Sequence, residues 1–385
     1  MYNFDELIER RGTGSYKWDV CPNPDMIPMW VADMDFRVAP PIIEALKSRV
    51  DCGIFGYVKV PESYYAAIQR WFRLRHGWTI LRDHIMYTIG VVPAVSACIK
   101  AMVPKGHGVI LQTPAFNYFF TSVVNNGCKI HENPLRRIET PSGFTYEMDF
   151  DGLRELASRD DVDMLILCNP HNPSGRVWTK EELEKVRDIC RECGVKVVSD
   201  EIHCEIVHPG YDYIPYMTVD HDAIVCCSPS KGFNIAGLQN ANIIVRDEEI
   251  RRKIDRAIND NELCDVNPFG VVALQAAYNE GGEWLDALNA YLYDNYLYVR
   301  DVIARELPAL KVCDAESTYL AWVDIKSLGM QAEEVERLGK EKGNVWVSAG
   351  NIFGDSGYVR INFACPRSRL EEGMRRFVET FKGKV

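Results

Sequence analysis

Residues 195–203, VKVVSDEIH, and 223–239, AIVCCSPSKGFNIAGLQ, decide the fold of this chain. Each opens on a short apolar run rich in β-branched residues, the pattern of a strand covered on both faces, and each run stops at polar residues. Working outward, GVILQ from Gly108, DMLILCNP from Asp163 and NIIV from Asn242 predict further buried strands. Helical periodicity fills the intervals. In TKEELEKVRDICRECG, Thr179 can cap a helix with Glu182 three residues on, and Gly194 can close its end. Repeated strand and helix units predict an α/β fold with a mainly parallel sheet flanked by helices.

Toward the C-terminus the pattern changes. From about Glu280 a long helical stretch, GEWLDALNAYLYDNYLYVRDVIARELP, runs to Pro308 and is expected to bridge two domains. Beyond it, YLAWVDI, VWVSAG and YVRINFAC predict short strands and SRLEEGMRRFVETF a last helix, an α+β arrangement. A chain of 385 residues is too long for one ordinary core. We expect a large domain over residues 47–283, and a smaller one formed by an N-terminal arm, 1–46, with residues 284–385.

Composition excludes some classes of function. Lys plus Arg is 44 against 55 for Asp plus Glu, a formal charge of −11 that opposes attraction to a phosphate backbone, so nucleic acid is not expected as a partner. The opening MYNFDELIERRGTGS lacks the apolar core of a secretory signal, and no apolar run approaches the ~20 residues of a membrane span. A soluble cytoplasmic protein with no membrane partner is the expectation. Thirteen scattered cysteines read as reduced thiols rather than a disulfide framework. Cys190 and Cys193 form a CxxC without the second pair or histidine cluster of a zinc site, and Cys226 and Cys227 lie in a strand. Core packing is the reading for all four, and no metal is expected.

Ligands of open α/β sheets bind beyond the carboxyl ends of the strands. Four such ends carry polar or glycine-containing signatures: TIGVV (88–92), CNPHNPSG (168–175), SDEIH (199–203) and SPSKGFNIAGLQ (228–239). With PMWVADMDF (28–36) and YVRINFACP (358–366), these ordered motifs resemble the fold-type I enzymes that use pyridoxal 5′-phosphate (PLP), in the class I/II aminotransferase superfamily. Within that superfamily they resemble the cystathionine β-lyase, or C–S lyase, branch. The resemblance covers nearly the whole chain and implies a large PLP-binding domain with a smaller α+β domain, acting on an amino acid.

It also implies roles for particular residues. Lys231 would hold the cofactor aldehyde as a Schiff base and later take the substrate Cα proton, which a lysine does when burial or cationic neighbours lower its pKa from about 10.4. Asp200 would sit by the pyridine nitrogen and keep it protonated, so that the ring accepts electrons. Asn172 would donate to the cofactor's phenolate oxygen while Asn169 shapes the turn. His203 falls where transaminating relatives often have Tyr. Ile202 would press on one ring face and Phe116, where lyase relatives usually carry Tyr, on the other; Tyr118 is the candidate to replace the lost hydroxyl.

For the phosphate, the resemblance implies Gly90, Val91 and Val92 at a helix N-terminus, where backbone N–H groups bind anions, together with Ser228 and Ser230. Tyr57 would reach the phosphate across a homodimer interface. Gln239 stands eight residues after Lys231, where many transaminases have Arg. Arg360 would bind the substrate carboxylate through its two-point fork, with Trp30 and Ala32 nearby. The implied reaction is β-elimination from L-cystathionine or another cysteine S-conjugate, giving thiol, pyruvate and ammonia. Transamination is the alternative, because it shares Lys231 and Asp200. A PLP-fold protein reduced to binding a partner is a third reading, opposed by the intact Lys231, Asp200, Asn172 and Arg360.

Overall fold

A computed structural model describes residues 2–260 and 265–384. Its larger sheet has seven strands in the order Ile85–Thr88, Ala241–Ile244, Ile224–Cys227, Lys196–Asp200, Val162–Cys168, Gly108–Leu111 and Lys129–Glu132. The last five run parallel to one another, and Ala241–Ile244 lies antiparallel to both its neighbours. That reversal has a local cause. The connection leaving Cys227 holds only turns and a short 3-10 helix, Ala236–Leu238, so the chain doubles back instead of crossing over through a helix. Gly108–Leu111, Ile224–Cys227 and Ala241–Ile244 are buried at every residue, as strands covered on both faces must be.

The helix Lys180–Cys193 carries the capping box read from the sequence: Thr179 and Glu182 each satisfy the other's backbone N–H, and Gly194 ends the helix at φ 73°. Cys190 is buried on its inner face, and Cys226 and Cys227 are buried in their strand. The helical stretch read from about Glu280 is one helix, Gly282–Glu306, and a separate helix, Pro268–Glu280, precedes it across Gly281. A Cβ at Gly281 would lie 2.5 Å from the Ala277 carbonyl oxygen and from the Phe233 ring, so glycine is needed for the close packing there.

A second sheet has the order Ile27–Met29, Val345–Ala349, Tyr358–Asn362, Leu320–Asp324 and Lys311–Val312. Ile27–Met29 pairs parallel with residues 345–347, and the other pairings are antiparallel. The N-terminal arm is thereby a strand of the C-terminal sheet. Residues 30–36 then lead from this sheet to the loop around Lys231, held at both ends by hydrogen bonds described below. Among the described residues no helix is long and apolar enough to cross a membrane.

Candidate active site

Strand register places the carboxyl ends side by side, Cys168 against Asp200 and Asp200 against Cys226. They border a cavity of about 240 Å³ whose wall draws on every motif singled out above except the YVRINF strand: Gly90, Val91 and Val92; Phe116; Asn172; Asp200, Ile202 and His203; Ser230 and Lys231; and Ala32 from the arm. The Lys231 Nζ donates to the Ala32 carbonyl at 2.6 Å. Desolvation lowers its pKa to about 8, with nearby Arg360 acting in the same direction and Asp33 and Asp200 opposing.

Asp200 is buried, and its Oδ1 accepts from the Ile202 N–H at 3.0 Å. Among the described residues no cationic side chain bonds to it. Burial pushes its pKa up to about 7, only partly offset by that hydrogen bond and by Lys231. Arg360 presents the opposite case. Its guanidinium donates to the Asn172 Oδ1 at 3.1 Å and to the Trp30 carbonyl at 3.0 Å, its Nε has no partner, and it stacks over Phe353 at 4.5 Å. No described carboxylate pairs with it, and burial lowers its pKa to about 10. An uncompensated buried charge is costly unless a bound ligand supplies its counter-charge.

Phe116 is the N-cap residue of the helix Asn117–Asn125 and packs edge-on against Phe119 with centroids 5.5 Å apart. Tyr118 is half exposed and not part of the cavity wall. His203 is buried with no partner for Nδ1. Desolvation, with Lys231 and Arg360, lowers its pKa to about 3, so the ring is neutral. Gly90 starts the helix Val91–Met102 in an extended conformation, with Pro93 packed close above it. Gly90, Val91 and Val92 of this first turn line the cavity, and a helix N-terminus at that place suits an anion.

Ser228 lies behind the wall rather than on it. Its Oγ donates to the Asn240 carbonyl at 2.5 Å and accepts from the Ser230 N–H at 3.1 Å, so within this chain it fixes Ser230. Tyr57 is 96% exposed and stands outside the cavity, and Gln239 is also off the wall. Asn169 donates to the Ile214 carbonyl at 2.9 Å, tying the turn to a neighbouring loop. Trp30 contributes its carbonyl to Arg360, while its ring stacks on Trp346 with centroids 4.3 Å apart.

Three residues absent from the sequence reading complete the arrangement. Asn234 donates to the Met34 and Phe36 carbonyls, each at 3.0 Å, and Asn362 donates to the Asp33 carbonyl at 2.7 Å. The Tyr319 hydroxyl donates to Ala32 at 2.9 Å, the same carbonyl that holds Lys231. These bonds fasten the arm over the site. Asn362 could have been found from periodicity, because residues two apart on a strand share a face and Arg360 precedes it by two.

The donor set fits PLP. A buried carboxylate without a bonded cation suits a protonated ring nitrogen, an amine of lowered pKa suits an aldehyde, a helix N-terminus suits a phosphate, and Phe116 and Ile202 supply apolar surface for the ring. Residues 24–377 match the model of a family described as aminotransferase class I and II.

The chain belongs to that family. Among family relatives it is 39% identical to cystathionine beta-lyase PatB of Bacillus subtilis (strain 168), covering 97% of this chain and 98% of PatB. Cystalysin from Treponema denticola, solved with a pyridoxal 5′-phosphate cofactor, superposes with a TM-score of 0.94 at 35% identity, covering 100% of this chain and 99% of cystalysin. The PLP-bound C–S lyase of Staphylococcus hominis gives a TM-score of 0.91 at 34% identity, covering 99% and 98% of the two chains. This is the fold-type I α/β architecture read from the strand ends.

Proposed function

We propose that this family member is a PLP-dependent C–S lyase that cleaves L-cystathionine or a related cysteine S-conjugate to a thiol, pyruvate and ammonia. The observation that carries the reading is a pair of ionisable groups on one cavity wall, Asp200 and Lys231, with Arg360 held just behind that wall by Asn172, none of the three bonded to an opposite charge within the described chain. Each is suited to one part of a cofactor-bound amino acid. When bound, PLP supplies the electron sink that makes the substrate Cα–H acidic.

The chain supplies the rest. Arg360 grips the α-carboxylate, and Asn172 holds the guanidinium at Nη1. With the carboxylate fixed, the substrate Cα–H would be held toward Lys231, the base that would take the proton. At a pKa of about 8 its amine takes up and releases a proton near neutrality. Expulsion of thiolate from Cβ leaves an aminoacrylate, which hydrolyses to pyruvate and ammonia. PLP bound here would be held by Asp200 at its ring nitrogen, by Phe116 and Ile202 against its ring, and by neutral His203 and Asn172 on the phenolate side, with Asp200 favouring positive charge on the nitrogen. Gly90, Val91, Val92 and Ser230 bind the phosphate, with Ser228 bracing Ser230. Trp30 and Ala32 close the arm over the substrate.

The names of cystathionine beta-lyase PatB and of the S. hominis C–S lyase support elimination over transamination. So does the wall itself: among the described residues lining it, Lys231 is the one Lys or Arg, so with Arg360 behind the wall taking the α-carboxylate this chain offers no further cation there for the second carboxylate of a dicarboxylic keto acid. The active unit in this reading is a cytoplasmic homodimer, with Tyr57 of each copy reaching the other's phosphate. The domains divide at residues 47–283 against 1–46 plus 284–385. With cystathionine as substrate the released thiol is homocysteine, a precursor for methionine biosynthesis. The test is to incubate the PLP-loaded enzyme with L-cystathionine and no keto acid. Equal yields of pyruvate, ammonia and thiol are expected. Sustained amino-group exchange with 2-oxoglutarate, and no pyruvate from any cysteine S-conjugate, would make it an aminotransferase.

A further inference from the structure

A second cluster of ligating side chains lies outside the Lys231 cavity. His76 is the last residue of the helix Glu62–His76, and Cys204 and Glu205 continue the chain directly from His203. The three border a separate cavity of about 410 Å³ that shares no lining residue with the first. Their ligand atoms all lie within 4.8 Å of one another. The His76 Nε2 is 3.1 Å from the Glu205 Oε1, and the Cys204 Sγ is 3.7 Å from the same oxygen.

Hydrogen bonding leaves this cluster incomplete. Glu205 is 3% exposed, and its Oε1 accepts from the Trp71 Nε1 at 2.6 Å, but its Oε2 is buried without a partner. The adjacent Arg75 is bonded instead to Asp286, at 2.6 Å. A buried carboxylate oxygen left unpaired loses its hydration without a protein partner to replace it, which a bound cation would restore. Imidazole nitrogen, thiol sulfur and carboxylate oxygen form a mixed donor set that suits zinc, with bonds of about 2.0–2.3 Å in a tetrahedron. Such bonds place ligand atoms roughly 3.3–3.8 Å apart, against 3.1 and 3.7 Å to the Glu205 Oε1 and no more than 4.8 Å between any two of the three ligand atoms here.

We propose that His76, Cys204 and Glu205 bind one zinc ion per chain, with water from the adjoining cavity as the fourth ligand. The ion would tie the end of the Glu62–His76 helix to the loop that carries Ile202 and His203. Thiolate is the form of cysteine that binds zinc, so the Cys204 thiol gives its proton to water as the Zn–S bond forms. Sequence spacing could not announce this site, because His76 and Glu205 are 129 residues apart.

The test is equilibrium dialysis of the PLP-loaded protein against zinc, with metal analysis, and parallel loading with cobalt to observe sulfur-to-cobalt charge transfer. One zinc per chain is expected. Cys204→Ser should abolish the cobalt band, and both it and Glu205→Gln should weaken zinc binding by more than the 10–100-fold typical of losing an outer partner. Cys52→Ser, at an exposed cysteine, should change neither. If Cys204→Ser fails to fold, His76→Gln at the cavity edge supplies the same affinity readout. Failure of the wild type to retain zinc, or a cobalt band and affinity unchanged in these ligand variants, would overturn the proposal. Because the readouts are metal content and spectrum, the result is independent of the lyase reading.

Discussion

Asp200 and Glu201 are neighbours in sequence, both are buried, and burial pushes both carboxyls up to about 7, but they sit in opposite surroundings. Glu201 accepts from the Tyr213 hydroxyl, the Tyr216 N–H at 2.9 Å, the Ser199 hydroxyl at 2.8 Å and the Asn169 amide at 3.4 Å. It is a brace, pinning the 213–216 stretch to the end of the strand Lys196–Asp200. Asp200 accepts from Ile202 and otherwise faces the cavity. A shifted pKa alone therefore does not single out the reacting group. What separates the two carboxylates is unmet bonding capacity directed at a space large enough for a ligand.

Substitution should separate them further. Asp200→Ala is expected to retain PLP while losing about 10²–10³-fold or more in turnover, the scale seen when a positioned electrostatic group is removed. Glu201→Gln should keep near wild-type turnover per folded molecule, but lose roughly 1–3 kcal/mol of stability as its bonds rearrange. Steady-state kinetics beside chemical denaturation measures both. Full turnover by a PLP-loaded Asp200→Ala variant would erase the distinction.

Arg360 extends the comparison to a cation. Arg360→Lys keeps the charge but loses the planar fork, and should lower kcat/KM by roughly 10–100-fold, in line with about 1.5–3 kcal/mol for a charged hydrogen bond. The cofactor absorbance should be unchanged. A variant with unaltered kcat/KM would remove Arg360 from carboxylate binding.

The smallest expected effect is on pH dependence. In cofactor-free protein the folded state holds a proton on Asp200 up to about pH 7, whereas the ordinary value is 3.8. The folded state thus binds more protons between these limits, and stability falls as pH rises through them. Glu201 acts in the same sense, while neutral His203 acts oppositely, costing stability as pH falls below its ordinary 6.5. Wild type should therefore lose stability relative to Asp200→Asn as pH rises from about 4 to about 7. PLP, by placing a cation at Asp200, should flatten this difference. Equal gaps at both pH values in cofactor-free protein would contradict the proposed environment of Asp200.

Much of this was legible in the chain because its signals are local. The runs ending in SDEIH and SPSK are continuous and apolar, as buried strands must be, and the residues that follow them border the cavity. Ile27–Met29 gave no such signal: it is three residues long and exists as a strand because residues 345–347 lie beside it. The start of the long helix was legible near Glu280, but the helix before it, Pro268–Glu280, was not read, and the close approach of Ala277 and Phe233 that requires glycine at 281 is visible only in the packing. Ser228 and Trp30 show a different limit. Composition announces a hydroxyl and an indole, but packing decides that Ser228 turns to Asn240 and that Trp30 offers Arg360 its carbonyl.

The central claim is that Lys231 is the amine that holds the cofactor. The most direct measurement is borohydride reduction of the PLP-loaded protein, followed by peptide mapping. The account predicts a single stable pyridoxyl label on Lys231, with loss of the aldimine absorbance and of turnover in Lys231→Ala. A label on any other lysine, or an undiminished aldimine band in Lys231→Ala, would contradict it.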